Sequence, residues 1–364
     1  MTSNHAPSVA DGAVEGVHPT DKHSLREVDR VERFLPFVRE RKPPWHTSLH
    51  GWVQALTAPV VVPVRFALMT MLVLLYYLVC VSLGPRVRSD SNGAREVLAL
   101  PPWRFRALRR AGKASSWLLL RVMGFWRIRH DYLPGYDASH RRYTTVVCNH
   151  ISLCDIVFFM ADNMCAFVSK HGMLQVPLVG RIAASMGCIF VNRSQKGVGH
   201  ATQWITEWQT RLWRSRLEHI EPAVPPLAMF PEGTTTNGQF LLRFRTGAFV
   251  SGLPVQPVVL AYPNAYFSLA YETIRGWRFL LGLLSQHRNH LRVIYFPLYV
   301  PSAEERDDPA LYAENVRRLM LSVLEREYGV RPSDSTYADK LAYHDIVRAS
   351  WRKKRPTRRD TKHT

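Results

Sequence analysis

The residue types that could do chemistry in this chain fall in two short runs, Asn149-His150-Ile151-Ser152-Leu153-Cys154-Asp155 and Phe230-Pro231-Glu232-Gly233-Thr234. The first sets a histidine and a carboxylate in a His-x4-Asp pattern, directly after the β-rich run 143–148. The second sets a carboxylate, a glycine and a hydroxyl at the exit of the apolar run 227–230. An imidazole with an orienting acid, facing a polar loop at strand ends, is the set that base-assisted transfer of an acyl group to an alcohol requires.

The spacing says where these residues must sit. In one continuous helix, at about 100° per residue, His150 and Asp155 would point roughly 140° apart. They meet only if His150 lies in the turn before a helix and Asp155 in its first turn. Ser152 is a good N-cap, Asp155 three residues on completes a capping-box pattern, and apolar 156–160 continue as buried helix. The same residues would also serve a plain helix cap beside an ordinary turn histidine. In the second run Gly233 allows close backbone approach, and the hydroxyls and N–H groups through Gly238 can hold a phosphate. Glu232 would repel that phosphate directly. It therefore orders the loop, pairs with an arginine or accepts a hydrogen bond from a substrate hydroxyl. Between the runs, Cys188-Ile189-Phe190-Val191-Asn192-Arg193 is a β-rich stretch ending in an arginine that can grip phosphate in bidentate fashion.

In order and spacing these blocks, with the proline-led strand Pro254-Val255-Gln256-Pro257-Val258-Val259-Leu260, resemble the glycerolipid 1-acyl acyltransferases. They are closest to the lysophosphatidylcholine and lysophosphatidylethanolamine acyltransferase branch. Phe230 through Asn237, Gly247-Ala248-Phe249, Val255-Gln256-Pro257-Val258, Tyr262-Pro263-Asn264 and the stretch 309–318 carry that closer likeness, and the whole resemblance covers about residues 118–328. It implies that His150 deprotonates an acceptor hydroxyl, which attacks the thioester of acyl-CoA, while Asp155 orients the imidazole and stabilises its protonated form. It also implies that Asn192, Arg193, Glu232, Gly233 and Thr234 form the acceptor's phosphate and glycerol site. Acyl-CoA is then a co-substrate, the acceptor is a lysophospholipid, and neither cofactor nor metal is called for. A glycerol-3-phosphate or lysophosphatidate acyltransferase, a phospholipid transacylase and a catalytically silent membrane adaptor remain open alternatives. No EF-hand loop pattern occurs, so calcium control is not expected.

Composition narrows the setting. Lys+Arg of 48 against Asp+Glu of 29 gives a net charge of +19 over 364 residues. Such a balance attracts nucleic acid or an anionic membrane. No nucleic-acid motif appears, whereas residues 66–83 form an uncharged apolar span. At 1.5 Å per residue the span covers ~27 Å, close to a hydrocarbon core, as a spanning helix or one dipping into a single leaflet. Prolines 59 and 63 and Arg65 interrupt the apolar stretch before it. Arg86, Arg88, Arg95, Arg104, Arg106, Arg109, Arg110 and Lys113 follow it, which places the catalytic part in the cytosol. The resemblance implies an endoplasmic-reticulum membrane.

These patterns divide the chain into a polar, disordered segment 1–45, a membrane-associating region 46–130, an acyltransferase domain 131–330 and a basic tail 331–364. Strands are predicted near 143–148, 165–169, 188–191, 227–230, 257–261 and 291–299, and helices near 155–161, 177–186, 198–216 and 309–327. Trp204, Trp208 and Leu212 recur at i, i+4, i+8 and read as a core-facing stripe. The fold class is therefore α/β, with a mixed or mainly parallel sheet covered by helices and an N-terminal membrane-embedded helix.

Overall fold

Val255–Ala261, seven residues with every side chain buried, run through the middle of a seven-stranded sheet. The computed structural model that shows it describes residues 31–85, 87–89, 95–97, 100–191, 198–264 and 266–353. In chain order the sheet uses β1 (Ile128–Tyr132), β2 (Thr145–Cys148), β3 (Ala166–Lys170), β4 (Ile189–Val191), β5 (Leu227–Met229), β6 (Val255–Ala261) and β7 (Leu291–Tyr295). Their spatial order is β1-β7-β6-β2-β5-β3-β4. Val258 of β6 faces Cys148 of parallel β2 on one side and Tyr295 of antiparallel β7 on the other. All other neighbours are parallel, so five strands run one way and β7 and β1 the other.

Alternation along the strands sorts side chains into two layers. Val146, Cys148, Val258 and Leu260 join a core with Phe158, Phe159 and Leu120. Val147, Val255 and Val259 join Tyr312, Val316 and Met320 of the helix Pro309–Tyr328 on the other face. The covering helices on the first face are α1 (Leu49–Leu83), α2 (Pro102–Val122) and α3 (Leu153–Asn163). Gly112 lets α2 fit between its neighbours, since a Cβ there would stand 2.6 Å from the Tyr76 hydroxyl and overlap Met164.

Helix α1 begins well before the apolar span and continues through Pro59 and Pro63 for 35 residues. It is the one helix among the described residues long and apolar enough to cross a membrane, with mean hydropathy 2.3 over its best window. Polar contacts tie it to the domain along its length. Gln54 donates to the Ser285 hydroxyl at 2.9 Å, Arg65 to the Leu284 carbonyl at 2.9 Å, and Arg181 to the Cys80 carbonyl at 2.9 Å. The opposite face shows Leu56, Val60, Met71, Leu75 and Leu78 to solvent.

Both chain ends correct the expected division. The described part of segment 1–45 is not disordered: Leu35–Phe37 form a 3-10 turn and Phe37 is fully buried. The segment 331–364 is more than a basic tail. Arg331–Ser333 pair with Phe240–Leu242, and Tyr337–Lys353 form a helix; the basic residues beyond 353 lie outside the described residues. The stripe on Val198–Leu217 is also rotated: Ile205, Gln209 and Leu212 are buried, while Trp204 is 45% exposed.

Candidate active site

The end of β2 turns sharply because Asn149 finishes the strand with its side chain. Its amide oxygen accepts from Leu260 N and its nitrogen donates to Leu260 O, both at 2.9 Å, so β6 holds it as it would hold backbone. His150 is thereby turned off the sheet, and its ring stacks on Phe230 at the end of β5, with centroids 4.1 Å apart. Ser152 caps α3 in a capping box with Asp155, the arrangement expected from the spacing.

His150 and Asp155 meet: Nδ1 lies 2.8 Å from Asp155 Oδ2. The same oxygen accepts from Ile151 N at 2.8 Å and Ser152 N at 2.9 Å. Asp155 Oδ1 accepts from the Tyr262 hydroxyl at 2.5 Å. Four donors thus compensate a fully buried carboxylate. Burial, then the neighbouring carboxylate, pushes the Tyr262 hydroxyl far above the usual tyrosine range, so it stays a donor. With Nδ1 facing Asp155, the donor on that nitrogen leaves Nε2 as the basic atom of a half-buried ring. Cys154 beside them is fully buried, and burial pushes its thiol up to about 12, which rules it out as a ready nucleophile.

The second run is bound to the first through backbone. Glu232 Oε1 accepts from His150 N at 2.8 Å and Oε2 from Leu242 N at 3.0 Å. Burial pushes this carboxyl up to about 8 against the downward pull of those two N–H groups. Of the three roles open to Glu232 in the sequence, ordering the loop is the one this geometry describes. Gly233 has φ +71°, and a Cβ there would come 2.7 Å from Arg245 Nε. Thr234 is nearly buried, and Thr236 N donates to His150 O at 3.0 Å. Asn192 and Arg193 lie outside the described residues.

Sequence reasoning missed four contributors. Asn149 and Tyr262 hold the pair, and exposed Arg245 lies over Gly233, its N donating to Pro231 O at 2.9 Å. Lys340, from the C-terminal helix, donates to Thr235 O at 3.0 Å and to buried Glu272 at 2.6 Å. The N-terminal turn closes the loop from the other side, where Asn237 donates to Leu35 O at 2.8 Å and Val38 O at 2.9 Å. Of these, Asn149 and Tyr262 carry a signal in adjacency to the recognised blocks; Lys340 carries none.

The fold and this imidazole–carboxylate pair define an acyltransferase-type α/β domain, and comparison with known proteins agrees. The acyltransferase family model matches residues 137–261. Lysophospholipid acyltransferase LPEAT1 of Arabidopsis thaliana is 36% identical over 88% of this chain and 87% of its own. Lysophosphatidylcholine acyltransferase 1 of Danio rerio is 31% identical over 79% of this chain, a match spanning 52% of that longer protein. The crystal structure of the 1-acyl-sn-glycerophosphate acyltransferase PlsC from Thermotoga maritima superposes with a TM-score of 0.50, covering 75% of this chain and 97% of that one at 15% identity, and shares the fold. The chain belongs to the glycerolipid 1-acyl acyltransferase family, in its lysophospholipid acyltransferase branch.

Proposed function

We propose that the protein transfers a fatty acyl group from acyl-CoA to the free hydroxyl of a lysophospholipid with a nitrogenous headgroup. The observation that carries the reading is the His150–Asp155 pair at the end of β2, which leaves Nε2 as the basic atom. Nε2 takes the proton of the acceptor hydroxyl as that oxygen attacks the thioester carbonyl. The proton then leaves with the departing CoA thiolate, and Asp155 balances the imidazolium between the two events. Likeness to lysophospholipid and lysophosphatidylcholine acyltransferases supports the acceptor class.

Arg245 supplies a cation for the acceptor phosphate, because it is exposed, beside Gly233, and joined through that loop to His150. Arg193 serves as a second. A phosphodiester carries one negative charge, which these cations can balance, whereas the monoester of lysophosphatidate carries more. With one acyl-CoA, kcat/KM is expected to be higher for lysophosphatidylcholine or lysophosphatidylethanolamine than for lysophosphatidate or glycerol 3-phosphate. Arg245→Ala should raise acceptor KM about tenfold, the loss of one charge-assisted contact of roughly 1.5 kcal/mol, with little change for acyl-CoA. Preference for glycerol 3-phosphate would sink the acceptor assignment, and an unchanged acceptor KM would remove Arg245 from the site.

For attachment, α1 lies along the membrane and buries its exposed face in one leaflet, with the catalytic domain on the cytosolic side of an endoplasmic-reticulum membrane. The support is its lengthwise tethering: a perpendicular crossing would draw Arg65 and Arg181, which hold it to the domain, into hydrocarbon. Alkaline carbonate should leave the protein in the membrane pellet. Tags placed before Ser48 and after Lys353 should both be open to protease on sealed microsomes; tags on opposite sides would show a spanning helix instead.

A further inference from the structure

A second basic feature lies away from the active site, at the far end of α3. That helix carries Ser152 at its N-cap beside His150 and Asn163 at its other end, about 16 Å away at 1.5 Å per residue. Next to Asn163 is a concavity of about 220 Å³ walled by Arg106, Arg109, Arg110, Lys113 and Arg142, with Glu221 as its one carboxylate. The four cations from α2 recur at i, i+3, i+4 and i+7, so one helix face presents them together.

The charges there are poorly compensated. Arg106 reaches Glu221 only at 3.9 Å, and both side chains are more than half exposed. Arg109 donates to the Asn163 carbonyl at 3.2 Å. The neighbouring Arg141 is satisfied by Asp162 and adds positive field without needing a ligand. No carboxylate forms an ion pair with Arg110, Lys113 or Arg142 among the described residues. Partial burial, then Arg109, Arg141 and Arg142, lowers the Lys113 ammonium below the usual lysine range, as crowding of like charges should. Five cations around one hollow repel one another, and a bound polyanion removes that penalty.

We propose that this concavity binds the phosphomonoester headgroup of an anionic phospholipid lying in the same bilayer as α1. Phosphate monoester is the chemistry that a cluster of arginines and a lysine fits best. The lipid is the source because the same face of α2 continues into Trp103 before the cations and Trp117 after them, 56% and 50% exposed. Tryptophans at both ends of a basic stripe are the pattern of a helix face seated at headgroup depth. Packing of α2 against α1 at Gly112 and Tyr76 brings the stripe alongside the exposed apolar helix. The proposal concerns lipid occupancy and does not depend on the acyl-transfer chemistry.

The test uses the full-length protein in phosphatidylcholine nanodiscs doped with a photoactivatable phosphatidate, reading crosslinks to the α2 peptide. The native chain should crosslink there, less so as NaCl rises, and neither free coenzyme A nor inorganic phosphate should displace the lipid beyond the effect of NaCl at matched ionic strength. Arg106→Gln/Arg110→Gln/Lys113→Gln should weaken retention on the order of 100-fold, from three surface cations each worth about a fivefold factor. Arg106→Lys/Arg110→Lys/Lys113→Arg should keep it. Both variants should acylate lysophosphatidylcholine normally in undoped nanodiscs. Native-level crosslinking of the neutral variant, or crosslinking indifferent to salt, would overturn the proposal. Displacement by coenzyme A beyond that effect would overturn it as well and give the hollow to the donor's phosphates. If the neutral variant does not fold, the salt and competition results on the native chain still decide.

Discussion

His150→Ala is expected to abolish useful turnover, with kcat falling by about 10²–10⁴, the range that a positioned general base supplies. The chain should meanwhile stay folded and membrane-bound. The imidazole stands off the end of β2, partly exposed, with its ring stacked on Phe230. Removing it leaves Asp155 with three of its donors, Ile151 N, Ser152 N and the Tyr262 hydroxyl, so the buried charge is still compensated. Turnover of lysophosphatidylcholine with acyl-CoA, measured beside a thermal midpoint on the same preparation, separates the two effects. Near-normal kcat in the variant would mean that some other group takes the proton and that His150 is not the base.

Asp155→Asn should damage both chemistry and fold. An asparagine has one acceptor oxygen and a donor where Asp155 has two acceptors, so it cannot serve Tyr262 on one side and three N–H groups on the other. The imidazole loses its charged partner and its tautomer is no longer fixed. A fall in kcat on the order of 10⁴ is the precedent for the orienting carboxylate of a catalytic triad. Stability should drop as well, because hydrogen bonds to a charged group contribute roughly 1.5–3 kcal/mol each. Tyr262→Phe removes one of the four donors and should be the milder change, lowering kcat modestly with KM for either substrate little altered. Equal loss in the two variants would show that Tyr262 does more than steady the carboxylate. An active Asp155→Asn enzyme would show that the carboxylate is not needed as a charge.

The pair and its geometry were legible from residue types. Ser152 and Asp155 can both cap a helix start, and that alone brings Asp155 back onto His150, a contact made within a few residues of chain. The alternating apolar runs announced the strands for the same local reason. Other features were hidden because they depend on partners far away in sequence. Thr234 and its neighbours looked like a row of phosphate donors. In the fold Thr236 N is taken by His150 O, Asn237 by the N-terminal turn and Thr235 by Lys340.

What the sequence by itself determined is therefore the family, the α/β class, the meeting of His150 with Asp155 and the apolar span, all written in short-range spacing and hydrophobic period. Only the tertiary structure decided that Leu35 and Lys340, 305 residues apart in the chain, both hold the loop 235–237. It also decided that Glu232 secures His150 through the backbone and that α1 is tethered to the domain along its length. The reason is physical. Burying a carboxylate such as Glu272 or Glu232 requires donors at fixed distance, and the chain finds them wherever packing brings them, at Lys340, His150 or Leu242.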